Sequence, residues 1–303
     1  MREPATDVRE QRAGDVPGAA RCVTCGADAL LDYCARCGER RPSANDYSLG
    51  RFAMQSIHAV TDVDSRLLRT LRLLLTRPGQ LAAEHFAGRR QPSLGPLQLF
   101  LVCNILFFVV HTVLPVHVFT TTLSDHLQHQ TYSRWLLSFE AAAGTTYGEL
   151  LEDPRAFHMY ARSFQSVTTA QAKSLIILMV PVFALMSYLA HGPRRWFYAQ
   201  HLVHSLHLFA FLLLLMIPMG ALLVAVVRLE AVTGVELSWQ TRDGIFGLVT
   251  AIVIGLHLAA AGRRAFGERG WANGARAVLL TVLLVPILNL YRFVLFFTTR
   301  AVL

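Results

Sequence analysis

Two short cysteine turns carry the clearest chemistry in this chain: Cys22-Val-Thr-Cys25-Gly26 and, after an eight-residue gap from Cys25, Cys34-Ala-Arg-Cys37-Gly38. In a Cys-x-x-Cys turn both sulfurs converge on one side, and the following Gly permits a bend in which backbone amides point at the thiolates. Two such turns make a closed tetrahedral S₄ site, which suits zinc, with iron of the rubredoxin type as the alternative. A closed site offers no open position to a substrate, so the pattern predicts a structural metal that folds a small ribbon over residues 21–42. So short a segment cannot build a core without such a staple. The functional alternative is a ribbon that senses redox state or binds a partner. Cys103 stands apart in an apolar run and reads as an inert buried thiol.

The elements that must carry this ribbon belong to a different solvent. Residues 1–95 hold 14 arginines and 11 carboxylates, whereas long stretches after residue 96 have no charge. A bilayer core of ~30 Å needs roughly 20 apolar residues in a helix. Five runs qualify, at about 96–118, 174–191, 201–227, 244–262 and 274–299, with an outer loop over 119–173. Residues 1–20 mix charge, Pro and Gly without an apolar run, which predicts a disordered tail and no secretory signal. Between ribbon and first span, residues 43–95 read as amphipathic juxtamembrane helices. Residues 48–61 and 64–75 both carry helical periodicity, the second with Leu67, Leu68, Leu71 and Leu75 opposite Arg66, Arg69 and Arg72. Such a helix belongs in the headgroup layer, with its arginines on anionic lipid.

Arginine placement sets the expected orientation. Arg194 and Arg195 mark one loop and Arg263, Arg264 and Arg269 another, whereas residues 119–172 and 229–241 are poorer in basic than in acidic residues. Cytoplasmic loops are enriched in Lys and Arg, so the N-terminus is expected inside and the C-terminus outside the cytoplasmic (inner) membrane. Thiols on that side stay reduced and free to bind metal. The net charge of +8 is explained by this bias, and no nucleic-acid partner is expected.

Polar residues in apolar spans are expensive and invite a functional reading. By helix rise, Asn104, His207 and His257 fall at similar depths, roughly 8–12 Å from the cytoplasmic end, and could meet. His201, His204 and His207 fan over about 120° of one helix, so they do not readily share one ion, and His201 is expected in the headgroup layer. These groups either line a path or hold a ligand, or they make interhelical hydrogen bonds. Gly247, Ala251, Gly255 and Ala259 recur every four residues, a small-residue stripe that predicts close helix packing.

The order of parts resembles a bacterial membrane-protein family catalogued as domain of unknown function 3667. The resemblance rests on the ribbon, on RTLRLLLTRPGQLAAEHFAGRRQPSLGPLQLFL at 69–101, on KSLIILMVPVFALM from Lys173 and on FYAQHLVHSLHLFAF from Phe197, roughly residues 22–215. It implies a membrane protein with a cytoplasmic ribbon, and it brings no activity with it. The positions it marks are the four cysteines, Arg69, Arg77, Pro78, Gly79, Gly88, Arg90, Lys173, His201 and His207. Where the family usually has an aromatic this chain has His204.

The expected fold is an all-α membrane protein of about five transmembrane helices, preceded by an interfacial amphipathic region and a four-cysteine zinc ribbon. No hydrolase, metalloprotease, P-loop or dinucleotide fingerprint is present, so an enzyme has no positive support. The function expected is a membrane-embedded adaptor or regulator whose ribbon contacts a cytoplasmic protein. The alternatives are a transporter or channel for a small solute or ion and, third, a membrane enzyme using the span histidines.

Overall fold

Length and apolar composition make long helices obligatory after residue 96, because backbone polar groups in hydrocarbon must be satisfied within the segment. The computed structural model describes residues 20–29, 32–39, 66–111, 119–142, 153–192, 195–235 and 237–303. A two-strand ladder, β1 (Ala20–Arg21) and β2 (Asp28–Ala29), opens the ribbon. There follow α1 (Arg66–Thr76), α2 (Gln80–Phe86) and α3 (Pro96–His111). Two short helices, α4 (Leu123–Gln128) and α5 (Ser133–Ala142), precede α6 (Pro154–Leu175). The bundle is completed by α7 (Met179–His191), α8 (Tyr198–Thr233), α9 (Trp239–Ala265) and α10 (Trp271–Val302). The expected helix at 48–61 and the last part of the first span, 112–118, lie outside the described residues, as does nearly all of the tail.

Among the described residues four helices are long and apolar enough to cross a membrane, and α3 is a shorter apolar helix of 16 residues, about 24 Å long. Of the five expected spans, four are long helices among the described residues, and the run expected at 96–118 is described only as far as His111. The outer loop also changes character. α6 and α7 run together through a single 3-10 turn at Ile176–Leu178, making one 38-residue rod from Pro154 to His191. The turn lies just before Pro181, whose missing N–H and ring disturb the regular ladder. Hydropathy alone started this span at residue 174 because α6 carries polar side chains. Those side chains are paired across the bundle: Thr168 Oγ1 lies 3.1 Å from Thr299 Oγ1, and Gln171 Nε2 donates to the Thr298 carbonyl at 3.2 Å.

Helix boundaries follow local chemistry. The Asp153 carboxylate accepts from the amides of Arg155 and Ala156 with Pro154 at the first helical position, and Ser238 caps α9 through the Thr241 amide. α8 stops at Gly234 in the left-handed conformation (φ 71°), whose amide returns to the Glu230 carbonyl.

The starts of α3, α8 and α10 and the ends of α7 and α9 gather at one end of the bundle, where α1 and α2 form a collar. Phe86, Trp196 and Phe266 pack there ring on ring, and the Arg264 guanidinium donates to the Pro78 carbonyl at 2.9 Å. Thr70 and Leu74 of α1 are buried, while Leu68 and Leu75 stay exposed, as suits a helix lying at an interface. Gly79 requires its residue type twice over: its φ is +79°, and a Cβ would sit 2.6 Å from the Ala261 Cα.

At the far end, α4, α5 and the start of α6 close over the end of α10 through a small core of Leu123, Leu127, Leu136, Phe164 and Phe296. His126 is wholly buried there, its Nδ1 2.7 Å from the Tyr132 hydroxyl. Burial, with the Arg292 charge adding, pushes its imidazole down to about 4. The unfolded chain takes up this proton near pH ~6.5, so the side chain supports the fold fully above that pH and progressively less as pH falls towards 4. Imidazole nitrogen shifts in NMR spectra are expected to show His126 neutral at pH 5.5, and a midpoint near 6.5 would contradict this packing.

Candidate metal centre and the surface that receives it

The two knuckles have the same backbone construction. Cys22 N donates to the Ala27 carbonyl at 2.7 Å and Gly26 N to the Cys22 carbonyl at 2.9 Å. In the second knuckle Cys34 N donates to the Glu39 carbonyl and Gly38 N to the Cys34 carbonyl, both at 2.8 Å. Gly26 and Gly38 take φ of 73° and 72°, the left-handed region that makes glycine the fitting fifth residue of each turn. The ligand atoms of Cys22, Cys25, Cys34 and Cys37 all lie within 4.8 Å of one another, with Cys22 Sγ 3.5 Å from Cys37 Sγ and Cys25 Sγ 3.6 Å from Cys34 Sγ. A tetrahedron with metal–sulfur arms of about 2.3 Å has edges of about 3.8 Å, so these spacings fit an S₄ ion and are far too long for a disulfide of ~2.05 Å. Backbone amides of Cys37 and Arg36 bring the Cys34 thiol down to about 7, whereas burial and the neighbouring thiols push Cys37 up, so one thiolate forms readily and an ion would have to displace the protons of the others. Among the described residues these cysteines form the one His/Cys/Asp/Glu group with metal-binding spacing.

The residue after the second knuckle, missed in the sequence, joins the ribbon to the bundle. Glu39 is only 3% exposed, and its Oε2 accepts from the Arg90 and Gln91 amides, each at 2.9 Å, and from the Thr24 hydroxyl at 2.7 Å. Gln91 Nε2 donates to the Gly38 carbonyl at 3.1 Å. A few residues on, the Leu94 amide donates to Thr70 Oγ1 of α1 at 3.1 Å. Ribbon, collar and the start of α3 are thus one hydrogen-bonded chain. The sequence signal was only a carboxylate directly after a metal knuckle; its amide partners are 51 and 52 residues away.

The expected inner layer forms only in part. His207 and His257 are buried and near enough to feel one another's charge, and His257 stacks on Phe211 at 3.9 Å. Asn104 faces α6 instead, donating to the Lys173 carbonyl at 2.9 Å. His201, at the collar end of α8, is enclosed by protein: it is fully buried, its Nδ1 lies 2.9 Å from Ser187 Oγ, and it stacks on Phe266 at 4.9 Å. Around it sits a polar cluster the sequence did not single out. His191 lies 5.0 Å from His201 ring to ring, its Nε2 is 3.8 Å from Glu268, and Glu268 also pairs with Arg276. Arg276 donates to the Ala190 carbonyl and Asn273 to the Ala259 carbonyl, so the cluster ties α7, α9 and α10 at the collar end.

The small-residue stripe divides along its length. Gly255 faces α10, where a Cβ would be 3.5 Å from Thr281 Oγ1, and Gly262 admits the Asn273 side chain so closely that a Cβ there would clash. Gly247 has nothing within 4 Å of a Cβ position. Gly247 and Ala251 line an apolar cleft of about 470 Å³ between α8, α9 and α10, with Asp243 and Arg292 as its charged residues. Close packing holds for the collar half of the stripe, whereas Gly247 and Ala251 of the far half line the cleft; α8 and α9 touch sparsely overall.

Residues 64–108 match the model of a family described as Protein of unknown function (DUF3667). No curated protein and no solved structure matches the chain. The matched stretch is the collar and nearly all of α3, so it contains the surface that receives Glu39 and the Gly79 contact with α9. Changing Cys34 to Ser is expected to remove the bound metal, measured by elemental analysis, while the spans still insert. Stoichiometric metal retained by that variant would refute a four-thiolate site.

Proposed function

We propose that the chain is a membrane-embedded adaptor or regulator of the bacterial cytoplasmic membrane, with a zinc ribbon on the cytoplasmic side. The observation that carries this reading is the Glu39 clasp: a rigid module is fastened to the membrane body at the collar while the other side of its knuckles faces outward. Val23 and Tyr33, next to Cys22 and Cys34, are 44% and 60% exposed. Exposed apolar and aromatic side chains on a rigid frame suit a protein partner. Zinc is favoured over iron because a closed S₄ site that only folds a module needs no redox change. Arginines support the orientation, since Arg66, Arg69, Arg72, Arg77, Arg263 and Arg264 all lie at the collar end. A second reading, passage of a small solute or ion, draws on the cleft between α8, α9 and α10.

Full-length chain captured from gently solubilised membranes, alongside a Val23→Ser, Tyr33→Ala double variant, separates the two. An adaptor is expected to hold a stoichiometric protein that falls about tenfold in the variant with metal content unchanged. Co-purifying proteins that are identical for both chains would overturn the reading.

A further inference from the structure

The cleft on the far half of the bundle is independent of the ribbon. Its walls are apolar side chains mainly of α8, α9 and α10, among them Phe209, Met216, Ile254 and Leu284, with Met179 of α7 and Phe119 joining them, and its charges are Arg292 and Asp243. Their heights can be read from the helix pairing. Gly255 faces Thr281 and Gly262 faces Asn273, so in this antiparallel pair Asp243 of α9 stands level with Arg292 of α10. The two face the same space without pairing: no ion pair joins them, Asp125 of the cap acts on Arg292 by its charge without a hydrogen bond, and Arg292 Nε is buried with no hydrogen-bond partner among the described residues. A buried guanidinium nitrogen without an acceptor is costly and specifies an anion.

Depth and access select among anions. Counted from Gly274, where the apolar run begins, Arg292 lies about 27 Å along α10, at the far boundary of a ~30 Å hydrocarbon layer. Phospholipid phosphates lie at that level. The open side beside Gly247, which has no side chain to close it, admits a hydrocarbon chain from the bilayer. A small polar solute would gain nothing from the apolar walls, and a wholly apolar one would leave Arg292 without its acceptor.

We propose that this cleft is a lipid site that takes one acyl chain of an aminoethyl-phosphate phospholipid, with the phosphate on Arg292 and the ammonium on Asp243. Arg292 then gains charge-assisted hydrogen bonds, and Asp243 prefers a head that carries an amine over one that carries only hydroxyls. The site stiffens the loosely joined half of the bundle by filling the space between α8 and α9.

The test uses the full chain, delipidated and then offered phosphatidylethanolamine, phosphatidylglycerol or diacylglycerol with identical chains, with retained lipid counted by native mass spectrometry. The wild-type chain is expected to hold one phosphatidylethanolamine, about tenfold more firmly than diacylglycerol. Arg292→Gln is expected to erase that preference and Arg292→Lys to restore part of it, while Asp243→Asn erases discrimination between the two phospholipids. Gly247→Phe, whose Cβ has nothing within 4 Å and whose ring would occupy the cleft, is expected to lower retention of all three at an unchanged melting temperature. Equal retention of phosphatidylethanolamine and diacylglycerol by the wild type, unchanged retention in Gly247→Phe, or chain dimers in place of lipid adducts would each overturn the proposal.

Discussion

The Glu39 carboxylate accepts from two backbone amides of the collar and one hydroxyl of the ribbon. Hydrogen bonds to a charged group contribute about 1.5–3 kcal/mol each, and a buried carboxylate without them costs several kcal/mol. The balance is favourable only while all three donors are in place, and their placement depends on the metal turn. Cys34 donates to the Glu39 carbonyl, so the conformation that points this side chain at Arg90 and Gln91 is the conformation the knuckle imposes. From there the chain of contacts runs through Leu94 and Thr70 into α1 and the start of α3. An ion held by the four thiolates would thereby be coupled to the collar without any of its ligands entering the bundle.

The bundle itself is tight at one end and open at the other. At the collar, Gly79 lies against Ala261 and Gly262 against Asn273, with the Glu268–Arg276 pair and His191 filling the polar space between the helix ends. Towards the far end α9 leaves α8, and the same repeat of small residues that permits contact at Gly255 leaves a void at Gly247. Contact there would need a ridge on α8 at that height, and Gly220 of α8 lines the cleft too. The far ends are held instead by the α4–α5 cap, whose Leu123 and Leu136 pack with Phe164 of α6 on Phe296 of α10.

What could be read from the sequence was local, and what could not was rotational or remote. The knuckles were legible because in each of them two sulfurs and a left-handed glycine fall within five residues. The four long spans appeared as apolar runs, but α6 did not, since Thr168 and Gln171 are satisfied by Thr299 and Thr298 on α10 and so need no water. Asn104 was placed at a depth by counting residues, yet counting does not say which way a side chain faces; it turns to Lys173 on α6. Glu39 could not be paired by inspection with amides 51 and 52 residues away.

The central claim, that the metal turn holds the collar through Glu39, is tested most directly by backbone hydrogen exchange at Arg90 and Gln91, measured with the metal in place and after chelation. Protection is expected at both amides in the metal-bound protein and is expected to fall to that of an exposed loop when the ion is removed, while α8 keeps its protection. Unchanged protection of Arg90 and Gln91 after the metal has left would contradict the account.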